Sequence, residues 1–308
     1  MTDPHRWFAA RTFGAAGLPD GRALAARKTG TIAVALPALD EAETIGAICA
    51  AVPRDLVDEI VVLDGGSADG TQEAAKSHAR VVDVRALLPE FPPVRGKGDG
   101  MWRGLSVIDA DIVVFIDADI RNFAPHFVTR LVAPLLLDES IAFVKGFYRR
   151  PLVHGDTVVP DGGGRVTELA ARPLLNAFFP ELAGVLQPLG GEYAARRSLL
   201  ERLPFFSGYS VKVGLLIDLL SHDGLDVLAQ VDLGERVHRN RPLVELTPMA
   251  SAIARTILAR AERGGRLVAA QDYPEMPLLV PRGSTLESAD VAELERPPLV
   301  EVCARKRG

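Results

Sequence analysis

Short stretches of this 308-residue chain set acids, cations and glycines in patterns that can do chemistry. VVFIDADI, 113–120, puts Asp117 and Asp119 one residue apart, directly after an apolar run. Two carboxylates so spaced beyond a strand can meet one divalent ion if the chain turns there. Mg²⁺ and Mn²⁺ take such oxygen ligands and keep phosphate oxygens and water as well. Acids are also common at strand ends, and Asp119 could simply cap the next segment. ERVHRNRP, 235–242, packs Arg236, His238, Arg239, Asn240 and Arg241 into one loop. His238 could complete a metal site, leaving the arginines to hold anions, or it could sit solvated in a basic loop.

Two further stretches suit anions. RGKGDG, 95–100, carries Arg95 and Lys97 on a loop before a helix. A cation there either neutralises a diphosphate or rests in solvent. GGGRVTEL, 162–169, runs three glycines into a helix start with Arg165 and Thr167 in the first turn. Free backbone N–H groups, a hydroxyl and a guanidinium together suit a small acid; the alternative is a glycine hinge. PALDEAET, 37–44, is either a helix start whose acids meet the positive dipole end, or a loop whose backbone and Asp40 or Glu41 contact a base and ribose. LDGGSADGT, 63–71, is likewise a tight turn or a close ligand approach after Asp64.

The elements that must position these groups follow from apolar patterning. TIAVAL (31–36), EIVVLD (59–64), RVVDV (80–84) and DIVVFID (from 111) read as buried strands, with helical spacing between them. That alternation predicts a mostly parallel sheet flanked by helices. Ligands in such sheets bind beyond the carboxyl ends of the strands, where PALDE, DGGSADG and DAD all lie. Beyond residue 145 the rhythm changes. Helices are expected near 166–178, 192–203, 209–222 and 246–263, and strands at 141–148 and 226–232. After Gly264 the composition turns to Gly, Pro and charge, which reads as a surface-wrapping or partly disordered tail.

Bulk composition narrows the classes. Hydrophobic residues are 48% and charged residues 24%, ordinary for a folded domain, and the net charge of −5 offers no basic excess for nucleic acid. No run has signal-peptide or membrane-spanning length, so no membrane partner and a cytoplasmic protein are expected. Cys49 and Cys303 lie far apart and in no metal-ligand spacing; Cys49 falls on an apolar helical face and reads as a buried thiol. No G-x-G-x-x-G follows the first strand, which argues against a dinucleotide-dependent dehydrogenase.

Taken in order, PALDEAETIG, LDGGSADGT, RGKGDGMWRGL, VVFIDADI, GGGRVTELAARPLL and ERVHRNRPLVEL resemble the glucosyl-3-phosphoglycerate synthases and their mannosyl relatives. These are retaining glycosyltransferases of the GT-A fold, and the likeness runs from about residue 30 to 260. The resemblance implies an α/β GT-A fold, with a Rossmann-like sheet and a helical acceptor region. It divides the chain into an N-terminal extension (1–29), a nucleotide-sugar half (30–145), an acceptor half (146–263) and a tail (264–308). It implies glucose transfer from UDP-glucose to a small, anionic acceptor, by default 3-phosphoglycerate, with Mg²⁺ or Mn²⁺ and a homodimer. Pro37, Ala38, Leu39, Glu41 and Gly65 then hold the nucleotide, with Lys97 near its diphosphate and Asp117, Ala118 and Arg236 alongside. Asp119, supported by Asp117 and joined by His238, holds the metal. Gly164, Arg165, Thr167 and Asn240 hold the acceptor, and Arg241 adds positive charge.

This chain departs from the family pattern at three positions. Asp40 stands where Asn is common, Gly65 where Ser follows the aspartate, and Lys212 where a glutamate is expected beside the reacting sugar. Lys97, Asp119, Lys212 and Arg241 are thus the candidate catalytic groups. The charge reversal at Lys212 admits two alternatives: glucosylation of another small hydroxyl compound, such as a nucleoside or specialised metabolite, or a non-catalytic nucleotide-sugar-binding relative.

Overall fold

The strands expected at 31–36, 59–64 and from 111 have no polar face, because both of their faces are covered. Ile32, Ala33, Val34, Ala35 and Leu36 are all fully buried, as befits an interior parallel strand. The computed structural model describes residues 3–150, 152–154, 157–159, 163–237, 242–268, 278–282 and 285–307. Its centre is an eight-stranded sheet. In chain order the strands are β1 (Thr12–Phe13), β2 (Ile32–Ala38), β3 (Glu59–Asp64), β4 (Arg80–Asp83), β5 (Ile112–Phe115), β6 (Phe143–Arg149), β7 (Tyr193–Arg196) and β8 (Leu228–Glu235). Across the sheet they run β1-β8-β6-β7-β5-β2-β3-β4. Only β7 is antiparallel to its neighbours. The expected α/β class, with a mostly parallel Rossmann-like sheet, is therefore present.

Period-two alternation divides the core into two layers. Ala33, Ala35, Val61, Leu63, Val113 and Phe115 face one layer. There they meet Met101, Trp102 and Leu105 of helix Lys97–Leu105, together with Ile253 and Ile257 of helix Thr247–Arg263. Ile32, Val34, Ile60, Val62, Ile112 and Val114 face the other layer, against helices Ile45–Ala51 and His126–Leu137. Cys49 belongs to this second layer, and burial pushes its thiol up to about 11, an inert structural group as expected.

One element differs in kind from the sequence expectation. Residues 192–203 do not form a helix; Tyr193–Arg196 is the antiparallel strand between β5 and β6, followed by the short helix Arg197–Leu200. The Ala pair favours a helix locally, but Tyr193 stacks on Phe143 with ring centroids 4.9 Å apart and packs against Phe115 at 5.1 Å. Tertiary packing overrides propensity here.

Both ends of the chain tie into the body. The Trp7 indole N–H donates to the Leu228 carbonyl at 2.8 Å, and β1 pairs with β8 at the sheet edge. Glu295–Arg296 pairs antiparallel with Phe205–Phe206, and Leu299 and Val302 enter the core. The described part of the tail thus wraps the surface and docks. Arg296 grips the fully buried carboxylate of Asp99 through Nε at 3.0 Å and Nη2 at 2.6 Å, and Arg103 contacts it at 3.2 Å. Among the described residues no helix is long and apolar enough to cross a membrane.

Removing one partner from a buried ion cluster leaves a charge uncompensated, at a cost of about 3–5 kcal/mol. Arg296→Ala should therefore lower the unfolding free energy by that order, read as a lower urea midpoint with an unchanged slope. A midpoint like the wild type's would show that the tail does not support Asp99.

Candidate active site

The site gathers at the carboxyl ends of β2, β5, β6 and β8, where parallel strands release their loops. β2 and β5 are in register up to Ala35 and Phe115, so the chain beyond Phe115 emerges beside the end of β2. Asp117 is nearly buried and faces Gly191, where a Cβ would sit only 2.2 Å from its carboxylate oxygens; glycine makes room for the acid. Asp119 is more open, its side chain 35% exposed. Both carboxylates converge on Arg236, whose Nη2 lies 2.9 Å from Asp117 Oδ2 and 2.6 Å from Asp119 Oδ1. Two anionic oxygens turned to one point on a cavity wall are a donor set that hard divalent cations accept, so these residues fit Mg²⁺ or Mn²⁺. His238, Asn240 and Arg241, the remaining expected groups of that loop, lie outside the described residues. The stretch leading to them is nonetheless fastened to the acidic turn. Arg121 N–H donates to Val237 O at 3.1 Å, and Val237 N–H to Asn122 Oδ1 at 2.8 Å.

Arg236 is itself buried and extends to the opposite wall. Its Nη1 meets the Tyr148 hydroxyl at 2.9 Å and Glu192 Oε1 at 3.1 Å, the latter an electrostatic contact more than an aligned hydrogen bond. Glu192 is fully buried. Burial alone would raise its pKa, but Arg236, the Tyr148 hydroxyl, Lys212 and Lys97 outweigh that and hold it below the usual value. Lys97 opens helix Lys97–Leu105 and pairs with Asp117. Burial, then repulsion from Lys212, brings its ammonium well below the ordinary lysine range. Lys145, inside β6, donates to the Gly190 carbonyl, and burial and Lys212 lower it to about 7. Lys212, one residue into helix Val211–His222, is lowered to about 8, first by burial and then by Arg236 and Arg150 against the pull of Glu192. Among the described residues its ammonium makes no ion pair or hydrogen bond.

One cavity joins these groups to the glycine-rich stretch. Asp117, Asp119, Arg236 and Lys212 line it together with Gly163, Gly164, Arg165 and Thr167, and Arg150 and Tyr209 contribute as well. Gly164 has φ +73°, a conformation that favours glycine, and nothing stands within 4 Å of where a side chain would begin. The helix that follows is widened into a π turn over Thr167–Ala171, a feature common at functional sites.

The first two loops form a separate, mutually braced wall. Asp40 takes φ 55°, which Asn and Asp tolerate, and its Oδ1 accepts from Ala68 N–H at 2.9 Å. Glu41 N–H donates to Thr71 Oγ1 at 2.8 Å. The helix begins at Ile45, later than the acids suggest, and Thr44 spends its hydroxyl on the Ala118 carbonyl at 2.6 Å, linking this loop to the acidic turn. Pro37 and Ala38 close β2 beside Leu63 and Asp64 of β3, leaving Leu39 exposed. Asp64 is wholly engaged in shaping its own turn, accepting from Gly66, Ser67 and Gln72. Gly65 N–H donates to Ala38 O at 2.9 Å, so Gly65 joins the two loops. Glu41 is pushed up to about 7 by burial and by repulsion from Asp119 and Asp69.

Glu192, Lys145, Tyr148, Arg150 and Tyr209 were not singled out from sequence. The one local trace is a charge embedded in apolar strands, at Lys145 in FVKGFYR and at Glu192 before YAAR.

Comparison with known proteins follows from this geometry. Residues 33–172 match the model of glycosyl transferase family 2. Over 308 residues the chain is 44% identical to the glucosyl-3-phosphoglycerate synthase of Mycolicibacterium smegmatis, covering 98% of this chain and 99% of that protein. The Mycobacterium tuberculosis enzyme, solved in complex with Mn²⁺, UDP-glucose and phosphoglyceric acid, superposes with a TM-score of 0.82 at 45% identity, covering 94% of this chain and 98% of that one. The mannosyl-3-phosphoglycerate synthase of Rubrobacter xylanophilus gives 0.88 at 39% identity, covering 98% of each chain.

The raised Glu41 carboxyl sets a pH dependence. A folded-state value of about 7 against 4.5 means that its ionisation opposes folding, so its penalty is absent below pH 4.5 and complete above about 7. In metal-free protein, Glu41→Gln should gain stability relative to wild type as pH rises from 5 to 8. A difference in denaturation midpoint that does not change with pH would contradict this.

Proposed function

This chain belongs to the glucosyl-3-phosphoglycerate synthase family, and we propose that it transfers glucose from UDP-glucose to 3-phosphoglycerate in a metal-dependent, retaining reaction. The observation that carries the reading is one cavity lined both by the paired acids Asp117 and Asp119 and by a glycine-rich helix start with Arg165 and Thr167. Lys97 pairs with Asp117 beside it. In this division residues 30–145 serve the donor and 146–263 the acceptor, with 1–29 and 264–308 as extension and tail.

Pro37, Ala38, Leu39, Glu41 and Gly65 line the uridine side. Asp119 and Asp117, with His238, hold Mg²⁺ or Mn²⁺; the bound ion supplies positive charge to the diphosphate as it leaves. Lys97 and Arg236 add fixed cations there, and preorganised charge in a water-poor cleft favours the bond-breaking state. Gly164, Arg165, Thr167 and Asn240 orient the acceptor's phosphate and carboxylate. Its hydroxyl attacks glucose C1 from the face that the diphosphate leaves. The C1–O bond to UDP breaks as the new C1–O bond forms, and the hydroxyl proton passes to the departing phosphate oxygen. No protein nucleophile is required. Ala118 shapes the turn between the acids, while Arg241 and Lys212 add charge around the transferring sugar. We further propose a cytoplasmic homodimer, to be checked by sedimentation for twice the 33.0 kDa chain mass.

Lys212 favours one competing reading, since an ammonium lining the cavity, without an ion pair among the described residues, alters what the acceptor must offer. On that reading another small hydroxyl compound is the acceptor. Mass spectrometry of products from UDP-glucose and an acceptor panel separates the two. Turnover of another compound without transfer to 3-phosphoglycerate would discard the first reading.

Two substitutions test these assignments. Asp119→Ala should abolish metal-dependent UDP binding in calorimetry, and persistence of that dependence would move the metal elsewhere. Losing a charged hydrogen-bond partner costs about 1.5–3 kcal/mol, so Arg165→Ala should raise the acceptor KM about 10- to 100-fold while the donor KM changes little.

A further inference from the structure

Among the described residues the C-terminal segment contributes nothing to the cavity lining, yet it holds a turn that lines it. Ser207 N–H donates to Leu294 O at 2.8 Å, and Leu294 N–H donates to Ser207 Oγ at 3.0 Å. Glu293 then turns its carboxylate onto the next residues. Oε2 accepts from Gly208 N–H at 2.9 Å and Oε1 from Ser210 N–H at 3.2 Å. These contacts fix both ends of the Gly208-Tyr209-Ser210 turn. Tyr209 lines the cavity, and helix Val211–His222, which starts directly after the turn, brings Lys212 into it.

The approach is built for an acid. A Cβ on Gly208 would sit 2.6 Å from Glu293 Oε1, so the carboxylate reaches the backbone only because that position is glycine. The Ser210 hydroxyl, beside it at the helix start, is buried and has no hydrogen-bond partner, so it does not hold the turn. A negative group at this end of the helix also meets the positive end of the helix dipole. Ser207, just before the turn, is held separately by Asp99 N–H, which donates to its carbonyl at 2.8 Å.

We propose that Glu293 is a positioning residue for the acceptor, acting through the 208–210 turn to set where Tyr209 and Lys212 stand in the cavity. The inference rests on the proposed transferase reading. It predicts that acceptor binding depends on a carboxylate supplied from the far end of the chain, while donor binding does not. Charge-assisted hydrogen bonds to two backbone N–H groups leave those donors unmet when the acid is removed.

The experiment approaches the contact from both sides, with Glu293→Ala, Glu293→Gln and Gly208→Ala in the full-length protein. Kinetics use whichever panel compound the wild type glucosylates, so failure of 3-phosphoglycerate appears in wild type and failure of positioning only in the variants. Glu293→Ala and Gly208→Ala should each raise the acceptor KM at least about tenfold, with metal-dependent UDP affinity within about twofold of wild type. The double variant should add little, because both changes break one contact. Glu293→Gln keeps an acceptor oxygen and should recover part of the loss. Hydrogen exchange supplies a readout independent of turnover: amides of 207–214 should exchange faster in both alanine variants, while those of β2 and β5 should not. Unchanged acceptor KM together with unchanged exchange at 207–214 would overturn the proposal. Equal loss of donor and acceptor binding with a broad fall in protection would overturn it as well, by showing a general structural role.

Discussion

Arg236 is the contact on which the site depends. One guanidinium, almost wholly buried, reaches Asp117 at 2.9 Å, Asp119 at 2.6 Å, the Tyr148 hydroxyl at 2.9 Å and Glu192 at 3.1 Å. Those partners come from the loop after β5, from β6 and from the residue before β7, and Arg236 itself directly follows β8. Burying so many charges is costly, and the attraction between them roughly offsets the desolvation. The cluster is therefore better understood as setting geometry than as adding stability. The planar fork of an arginine can hold several oxygens at fixed angles, as a lysine cannot.

A second constraint follows from the balance of charge around that fork. Lys97, Lys145 and Lys212 all feel the field of the buried acid Glu192, and each has its ammonium pKa lowered by burial. Lys97 pairs with Asp117 and Lys145 with the Gly190 carbonyl, whereas Lys212 makes no ion pair or hydrogen bond among the described residues. A bound anion would supply the missing negative charge and make a filled cavity electrostatically more favourable than an empty one. The sheet arranges this at small backbone cost. Parallel strands end together, so loops from distant parts of the chain reach one rim, and glycines at 191 and 208 let carboxylates approach where a side chain would collide.

Much of this was legible because it is local. Buried parallel strands announce themselves as continuous apolar runs, and β2, β3, β4 and β5 lie where those runs lie. The DAD turn and the glycine-rich helix start also carry their chemistry within a few residues. The helix expected over 192–203 failed for a non-local reason. Tyr193 packs between Phe115 and Phe143, partners 78 and 50 positions away by residue number, and this packing makes YAAR a strand. Glu192 and Lys145 escaped notice for the same reason, since a single charge in a strand means little until its partners are known.

By itself, then, the sequence determined the strand-and-helix alternation, the composition of each loop, the paired acids and the family to which they belong. Its departures at Asp40, Gly65 and Lys212 were equally visible. Tertiary structure alone decided that Asp117 and Asp119 converge on Arg236, that Glu192 stands opposite them, and that the chain's last segment holds the turn before Lys212. The physical reason is distance along the chain. Periodicity and turn chemistry act over a few residues, whereas a buried charge is defined by neighbours that only the assembled sheet brings within about 3 Å.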